Sequence, residues 1–241
     1  MKQYTDLFID FDDTLYDTHG NAVIALRELF DTLQLGRWFP EPQVFYDRYW
    51  EANIDLWTRY SRGEITRDYL IVERFRRPLL ASELYRAEGN ASQSTLRFSL
   101  KMNDLFLDFC SSKPGLVEGA RDLMDYLRGK GYRLHMCSNG FHEVQYKKLR
   151  ACGLDGYFQT IILSEDAGAN KPSPQFFDYA MQQTQAQKTT TLMIGDNFQT
   201  DILGAKRYGL DVAYFNRFPE YPAAEPVNYE VTQLRQLMGI L

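Results

Sequence analysis

Residues 4–15 read Y-T-D-L-F-I-D-F-D-D-T-L, and the fold follows from how this stretch changes character along its length. From Tyr4 to Phe11 it is a short run rich in aromatic and branched residues that stops at an acidic cluster, Asp10, Asp12 and Asp13. A strand inside a parallel sheet looks like this, because both faces are covered and neither requires polar alternation. Ligands of open α/β sheets gather beyond the carboxyl ends of the strands. The acids just past Ile9 are therefore candidates for chemistry, and the ends of the later strands are the places to look for their partners.

Beyond Pro114-Gly115 the chain alternates between two periodicities. An amphipathic helix through Val117, Ala120, Leu123, Met124 and Leu127 ends at Gly131 and leads into a strand over Tyr132–Cys137. Helices at 142–152, 173–184 and 199–208 then precede strands at 159–163, 190–194 and 211–215. Pro219, Pro222 and Pro226 mark a loop, and a short helical element over Thr232–Met238 follows. Such alternation builds right-handed βαβ crossovers, hence an α/β protein with a doubly wound parallel sheet.

Between the first strand and Pro114 the pattern is helical only, over 20–35, 42–60, 66–76 and 93–110, with Thr66 placed to cap the third helix. A crossover needs only about a dozen residues. Residues 16–114 are therefore expected to form an inserted α-helical subdomain, and 1–15 with 115–241 the core.

The composition excludes several classes of function. With 44% hydrophobic and 24% charged residues, the 241-residue chain can bury a core without disulfides or structural metal. A net charge of -5 offers no basic field to a nucleic-acid polymer. Three cysteines, Cys110, Cys137 and Cys152, contain no CxxC pair and fit a reducing cytoplasm rather than a zinc site or a disulfide framework. No apolar run approaches the roughly 20 residues of a membrane span, and the acidic first thirteen residues do not resemble a signal peptide.

Each strand end carries polar groups. Asp10 and Asp12 follow the first, Ser138-Asn139-Gly140 the second, Lys171-Pro172 comes after the third, and Gly195-Asp196-Asn197, with Asp201 beyond, follows the fourth. Converging carboxylates repel one another, and a divalent cation relieves that repulsion; an all-oxygen donor set suits Mg²⁺. Ser138 and Asn139 can donate hydrogen bonds to phosphoryl oxygens, and Lys171 supplies positive charge, which is the electrostatic arrangement phosphoryl transfer requires. Asp10 and Asp12, at i and i+2 of a strand end, can reach one pocket.

D-F-D-D-T-L, S-N-G, K-P and G-D-N-F-Q-T-D, in this order, resemble the four motifs of the haloacid dehalogenase superfamily, and the helical insertion is similar to its C1 cap. The resemblance implies that Asp10 is the nucleophile and Asp12 the general acid/base. It implies further that Ser138, Asn139 and Lys171 bind phosphate and that Asp10, the Asp12 carbonyl and Asp196 hold Mg²⁺, with Asn197 and Asp201 supporting the metal site from behind. Dehalogenases of the superfamily lack the second Asp, so Asp12 points to a phosphatase, or to a phosphomutase of the β-phosphoglucomutase type; a catalytically idle phosphate-binding scaffold is the remaining alternative. Leu56–Leu70, the S-N-G-F loop and the run Gly195–Ala205 look like those of pyrimidine 5′-nucleotidases. That implies a small phosphorylated metabolite as partner, a nucleoside 5′-monophosphate ahead of a sugar phosphate.

Overall fold

A computed structural model describes residues 4–89, 92–218 and 223–241. The chain divides into two compact units, one running to Thr18 and resuming at Pro114, the other spanning His19–Lys113. The first departs from the expected boundary by a few residues, because hydrogen bonds tie residues 15–17 back to the core. Val117 N donates to Leu15 O at 2.9 Å, Asp17 N donates to Gly115 O at 3.1 Å, and Tyr16 forms a bridge with Leu116.

The core unit is built on six parallel strands, β1 (Asp6–Ile9), β2 (Arg133–Ser138), β3 (Thr160–Leu163), β4 (Thr191–Gly195), β5 (Asp211–Phe215) and β6 (Tyr229–Val231), in the order β3-β2-β1-β4-β5-β6. Chain order reverses at β1, which pairs with β2 on one side and β4 on the other. Side chains of a strand alternate between faces. Leu7 and Ile9 accordingly pack in one apolar layer with Leu123, Met124 and Leu127, while Phe8 packs in the other with Phe176, Phe177 and Met193. All are fully buried, each contributing roughly 1.5–3 kcal/mol, which is why β1 reads as an unbroken apolar run.

The helical unit contains α1 (Thr18–Thr32, its first residue belonging to the core), α2 (Pro42–Ser61), α3 (Arg67–Ala81), α4 (Glu83–Ala87) and α5 (Ser92–Ser111). No strand occurs among its described residues. The Thr66 hydroxyl accepts from Tyr69 N at 3.3 Å and caps α3 as expected. That helix continues past Arg76, through Pro78, to Ala81. An internal proline costs about 3 kcal/mol, here offset by the complete burial of Phe75 and Leu79. Tyr49 packs with Phe75 and Phe106 at ring-centroid distances of 5.3 and 5.2 Å, so the aromatic residues of α2 include much of this unit's own core.

In the core unit the helices are α6 (Ala120–Gly129), α7 (His142–Cys152), α8 (Ser164–Ala167), α9 (Pro174–Thr184) and α10 (Gly204–Tyr208). The helix expected over 199–208 is two elements: Phe198–Leu203 is a π-helical turn and only Gly204–Tyr208 is α-helical. The element expected over Thr232–Met238 is a 3₁₀ helix at Leu234–Gly239, preceded by β6, a strand the sequence did not announce. Pro219 and Pro222, part of the loop expected there, lie outside the described residues; Pro226 accepts from Lys206 Nζ through its carbonyl at 2.8 Å.

Candidate active site

The reversal of chain order at β1 opens the sheet where neighbouring connections leave in opposite directions. Asp10 stands at the carboxyl end of β1, its backbone N donating to Ile194 O of β4 at 2.8 Å. Its side chain is buried and is reached by Lys171, from the segment after β3. Lys171 Nζ, 1% exposed, donates to Asp10 Oδ1 at 2.6 Å, to Asp201 Oδ1 at 2.7 Å and to the Cys137 carbonyl at 2.7 Å. An ammonium has three protons to give, and these partners use all of them. Thr14 Oγ1 donates to Asp196 Oδ1 at 2.7 Å and lies 3.2 Å from Asp10 Oδ2, while accepting from Asp196 N at 3.0 Å.

Asp201 belongs to the same centre. Its Oδ2 accepts from Asn197 N at 3.1 Å, and Asn197 Oδ1 caps the π-helical turn by accepting from Gln199 N and Thr200 N, both at 3.1 Å. The absence of a side chain at Gly195 makes this possible, since a Cβ there would lie 2.4 Å from Asp201 Oδ2. Asp10, Asp196 and Asp201 each present a carboxylate oxygen within 4.8 Å of the others. Burial pushes the Asp10 carboxyl up to about 7, with Lys171 opposing and Asp201 adding to the rise. Asp196 is held well above the usual carboxylate range by burial and by the charges of Asp10 and Asp201. Crowded, buried, all-oxygen carboxylates that resist ionisation fit a small hard dication, which would restore their charge balance.

Asp12 has a different environment. Its carboxylate accepts from Thr18 Oγ1 at 2.6 Å, from Lys148 Nζ and from Gln145 Nε2. Burial raises its pKa, but the charge and hydrogen bond of Lys148, with those of Thr18 and Gln145, outweigh it and hold the group below its ordinary value. Ser138 Oγ accepts from Gly140 N at 3.0 Å and from Gln145 Nε2 at 2.6 Å. Asn139, from the loop after β2, lies against the Lys171 backbone. Its side chain clamps Lys171, Nδ2 donating to the Lys171 carbonyl at 3.0 Å and Oδ1 accepting from Lys171 N at 2.8 Å.

The structure thus brings Asp10, Lys171, Asp196 and Asp201 into one hydrogen-bonded cluster, with Asp12 and Ser138 joined through Gln145. Thr14, Gln145 and Lys148 were not singled out from the sequence. Thr14 lies within the first motif, and Gln145 and Lys148 left a signal: they are polar residues on the face of α7 that otherwise buries Val144, Leu149 and Cys152. Asp13 and Asp17 meet Arg217, at 3.2 and 2.8 Å, two ion pairs that fasten the segment after β1 to the turn after β5.

Residues 7–209 match the haloacid dehalogenase-like hydrolase family. The chain belongs to that family. It is 33% identical over 244 residues to the HAD-hydrolase YfnB of Bacillus subtilis, covering 100% of this chain and 97% of that one. A crystal structure of YfnB bound to magnesium superposes with a TM-score of 0.84 at 30% identity, over 100% of this chain and 99% of that chain. The pyrimidine 5′-nucleotidase YjjG of Escherichia coli is 29% identical over 98% of this chain and 96% of its own. A glyceraldehyde 3-phosphate phosphatase of Pyrococcus furiosus is 26% identical over 100% of this chain and 94% of its own.

Proposed function

We propose that the chain is a Mg²⁺-dependent phosphoric monoester hydrolase that passes the phosphoryl group through Asp10, with pyrimidine nucleoside 5′-monophosphates as substrates. The observation that carries this reading is the pairing at the end of β1: Asp10 in contact with Lys171, and Asp12 two residues on in a separate, charge-stabilised environment. The likeness to YjjG supports the choice of nucleotides.

In the first half-reaction an Asp10 oxygen attacks phosphorus in line and the sugar oxygen departs with a proton from Asp12. In the second, Asp12 takes a proton from water as the water attacks the aspartyl phosphate, releasing phosphate and restoring Asp10. Splitting one displacement into two is covalent catalysis. The Ser138 hydroxyl has both acceptor positions filled by Gly140 N and Gln145 Nε2, so its hydrogen is free to be donated to a phosphoryl oxygen. Lys171 steadies Asp10 and offsets charge at the phosphate. Mg²⁺, held by Asp10, the Asp12 carbonyl and Asp196 with Asp201 supporting, would supply charge neutralisation between nucleophile and phosphate. Residues 19–113 are read as the C1-type cap, the part that discriminates among leaving groups in such enzymes.

The test is phosphate release from UMP, dUMP, dTMP, CMP, AMP, GMP and a set of sugar phosphates, each with Mg²⁺ and with EDTA. Metal-dependent release concentrated on the pyrimidine nucleotides is the expected result. Release from sugar phosphates alone would move the substrate to the second reading, which the likeness to the glyceraldehyde 3-phosphate phosphatase favours. Isomerisation of β-glucose-1-phosphate without release would make the chain a phosphomutase, and no turnover at all would leave a phosphate-binding scaffold.

A further inference from the structure

Two polar side chains of α7 are buried without a part in the reaction as described. Gln145 is fully buried and Lys148 is 6% exposed. Burying an ammonium or a carboxamide is costly unless partners replace water. Their partners lie in the site: Lys148 Nζ donates to Asp12 Oδ1, and Gln145 Nε2 donates to Asp12 Oδ2 and to Ser138 Oγ. Lys148 Nζ also sits 5.1 Å from the centre of the Tyr16 ring, which adds a cation–π attraction. With Thr18 on Oδ1 as well, both oxygens of Asp12 are held, and the plane of the carboxylate is fixed from two directions. Gly140 belongs to the device, because a Cβ at that position would lie 2.1 Å from Gln145 Nε2.

We propose that Lys148 and Gln145 are positioning residues for proton transfer at the leaving group: Lys148 aims Asp12, and Gln145 couples that aim to the Ser138 hydroxyl. One turn of α7 thereby ties the acid/base group to a phosphate donor, so that leaving-group oxygen and phosphoryl oxygens are addressed by a single rigid unit. This inference rests on the acid/base assignment of Asp12 made above.

The experiment compares Lys148→Met, Lys148→Arg and Gln145→Met with wild type on two esters at saturating Mg²⁺. One is p-nitrophenyl phosphate, whose leaving group departs without a proton; the other is an alkyl phosphate, whose leaving group needs one. General acid catalysis contributes about 10²–10⁴-fold, so Lys148→Met should lower kcat on the alkyl ester by about tenfold or more while changing the nitrophenyl rate by less than about threefold, with KM unchanged. Lys148→Arg should recover most of the loss. Gln145→Met should show the same leaving-group dependence together with a raised KM, and it decides the question if Lys148→Met does not fold. Equal losses on both esters, or no loss on either, would overturn the inference while leaving the phosphatase reading intact. Wild-type protein that releases phosphate from neither ester would overturn that reading and this inference with it.

Discussion

Lys171 Nζ lies 2.6 Å from Asp10 Oδ1 and is shared with Asp201 at 2.7 Å, all three side chains being at least nine-tenths buried. One ammonium thus compensates two buried carboxylates, and their charges hold its pKa above the ordinary lysine value despite the opposing effect of burial. Removing the ammonium from such a group leaves both carboxylates uncompensated, at a cost of about 3–5 kcal/mol. Lys171→Met should therefore be inactive and destabilised by about that amount at pH 7.5 in EDTA. Protonating Asp10, whose carboxyl burial pushes up to about 7, relieves the imbalance, so the difference from wild type should shrink toward pH 5. Urea denaturation at both pH values measures it, and a pH-independent difference would contradict the charge account.

Asp10→Asn removes the proposed nucleophile but keeps the shape of the side chain and its contact with Lys171. Turnover should fall to background in protein purified clear of host phosphatases. The melting temperature in EDTA should not fall, because the amide avoids the burial penalty that pushes the Asp10 carboxyl up to about 7. Activity near wild type would remove Asp10 from the nucleophile role.

How much of this was legible in the sequence depends on what each residue answers to. Asp10, Asp12, Ser138, Lys171 and Asp196 follow strand ends, and strand ends can be located from apolar runs and their punctuation. Asp6 shows why acidity alone is insufficient: it is as buried as any acid in the site, but it lies at the start of β1, where Arg133 Nη2 at 2.6 Å and His135 Nε2 at 3.1 Å serve it from β2. Strand direction separates the two acids. Lys148 and Gln145 depend on which face of α7 turns inward, a fact settled by packing, and β6 is three residues long, too short for a periodic signal. The clamp of Asn139 on the Lys171 backbone joins two loops 32 positions apart, and no local pattern encodes it.

Metal binding should be coupled to protons. With Asp10 raised to about 7 and Asp196 raised well above its usual range, the metal-free site retains protons that the unfolded chain releases near pH 4. For a raised carboxylate pKa the stabilising contribution is present below the unfolded value and is lost as pH rises through the folded one, here between about 4 and 7. Mg²⁺ requires the ionised form, so the rise in melting temperature that it produces should be larger at pH 8 than at pH 5.5. Calorimetric titrations in buffers of different ionisation enthalpy should also show proton release near pH 7. An Mg²⁺ effect of equal size at both pH values, with no buffer dependence, would mean that these carboxylates are already ionised in the metal-free protein.

Gly195 offers a test of the geometry that leaves every charged group in place. A Cβ added there would meet Asp201 Oδ2 at 2.4 Å and Asp201 Cβ at 2.6 Å. Because the obstruction includes the Cβ of Asp201, rotation of its carboxylate alone cannot relieve it. The π-helical turn must move, and with it the carboxylate that accepts from Lys171 and from Asn197 N. Overpacking of this kind costs about 1–3 kcal/mol. Gly195→Ala should thus lose about that much stability and, since Lys171 is displaced relative to Asp10, most of its kcat. The informative comparison is Gly129→Ala, where an added Cβ meets nothing within 4 Å. Gly129 lies at the end of α6, so that variant should keep its activity and match or exceed wild-type stability. Parallel denaturation and phosphate-release assays on the two variants separate a general intolerance of substitution from a specific need for space beside Asp201. Full activity in Gly195→Ala would show that the Asp201–Lys171–Asp10 spacing can relax without consequence for the reaction.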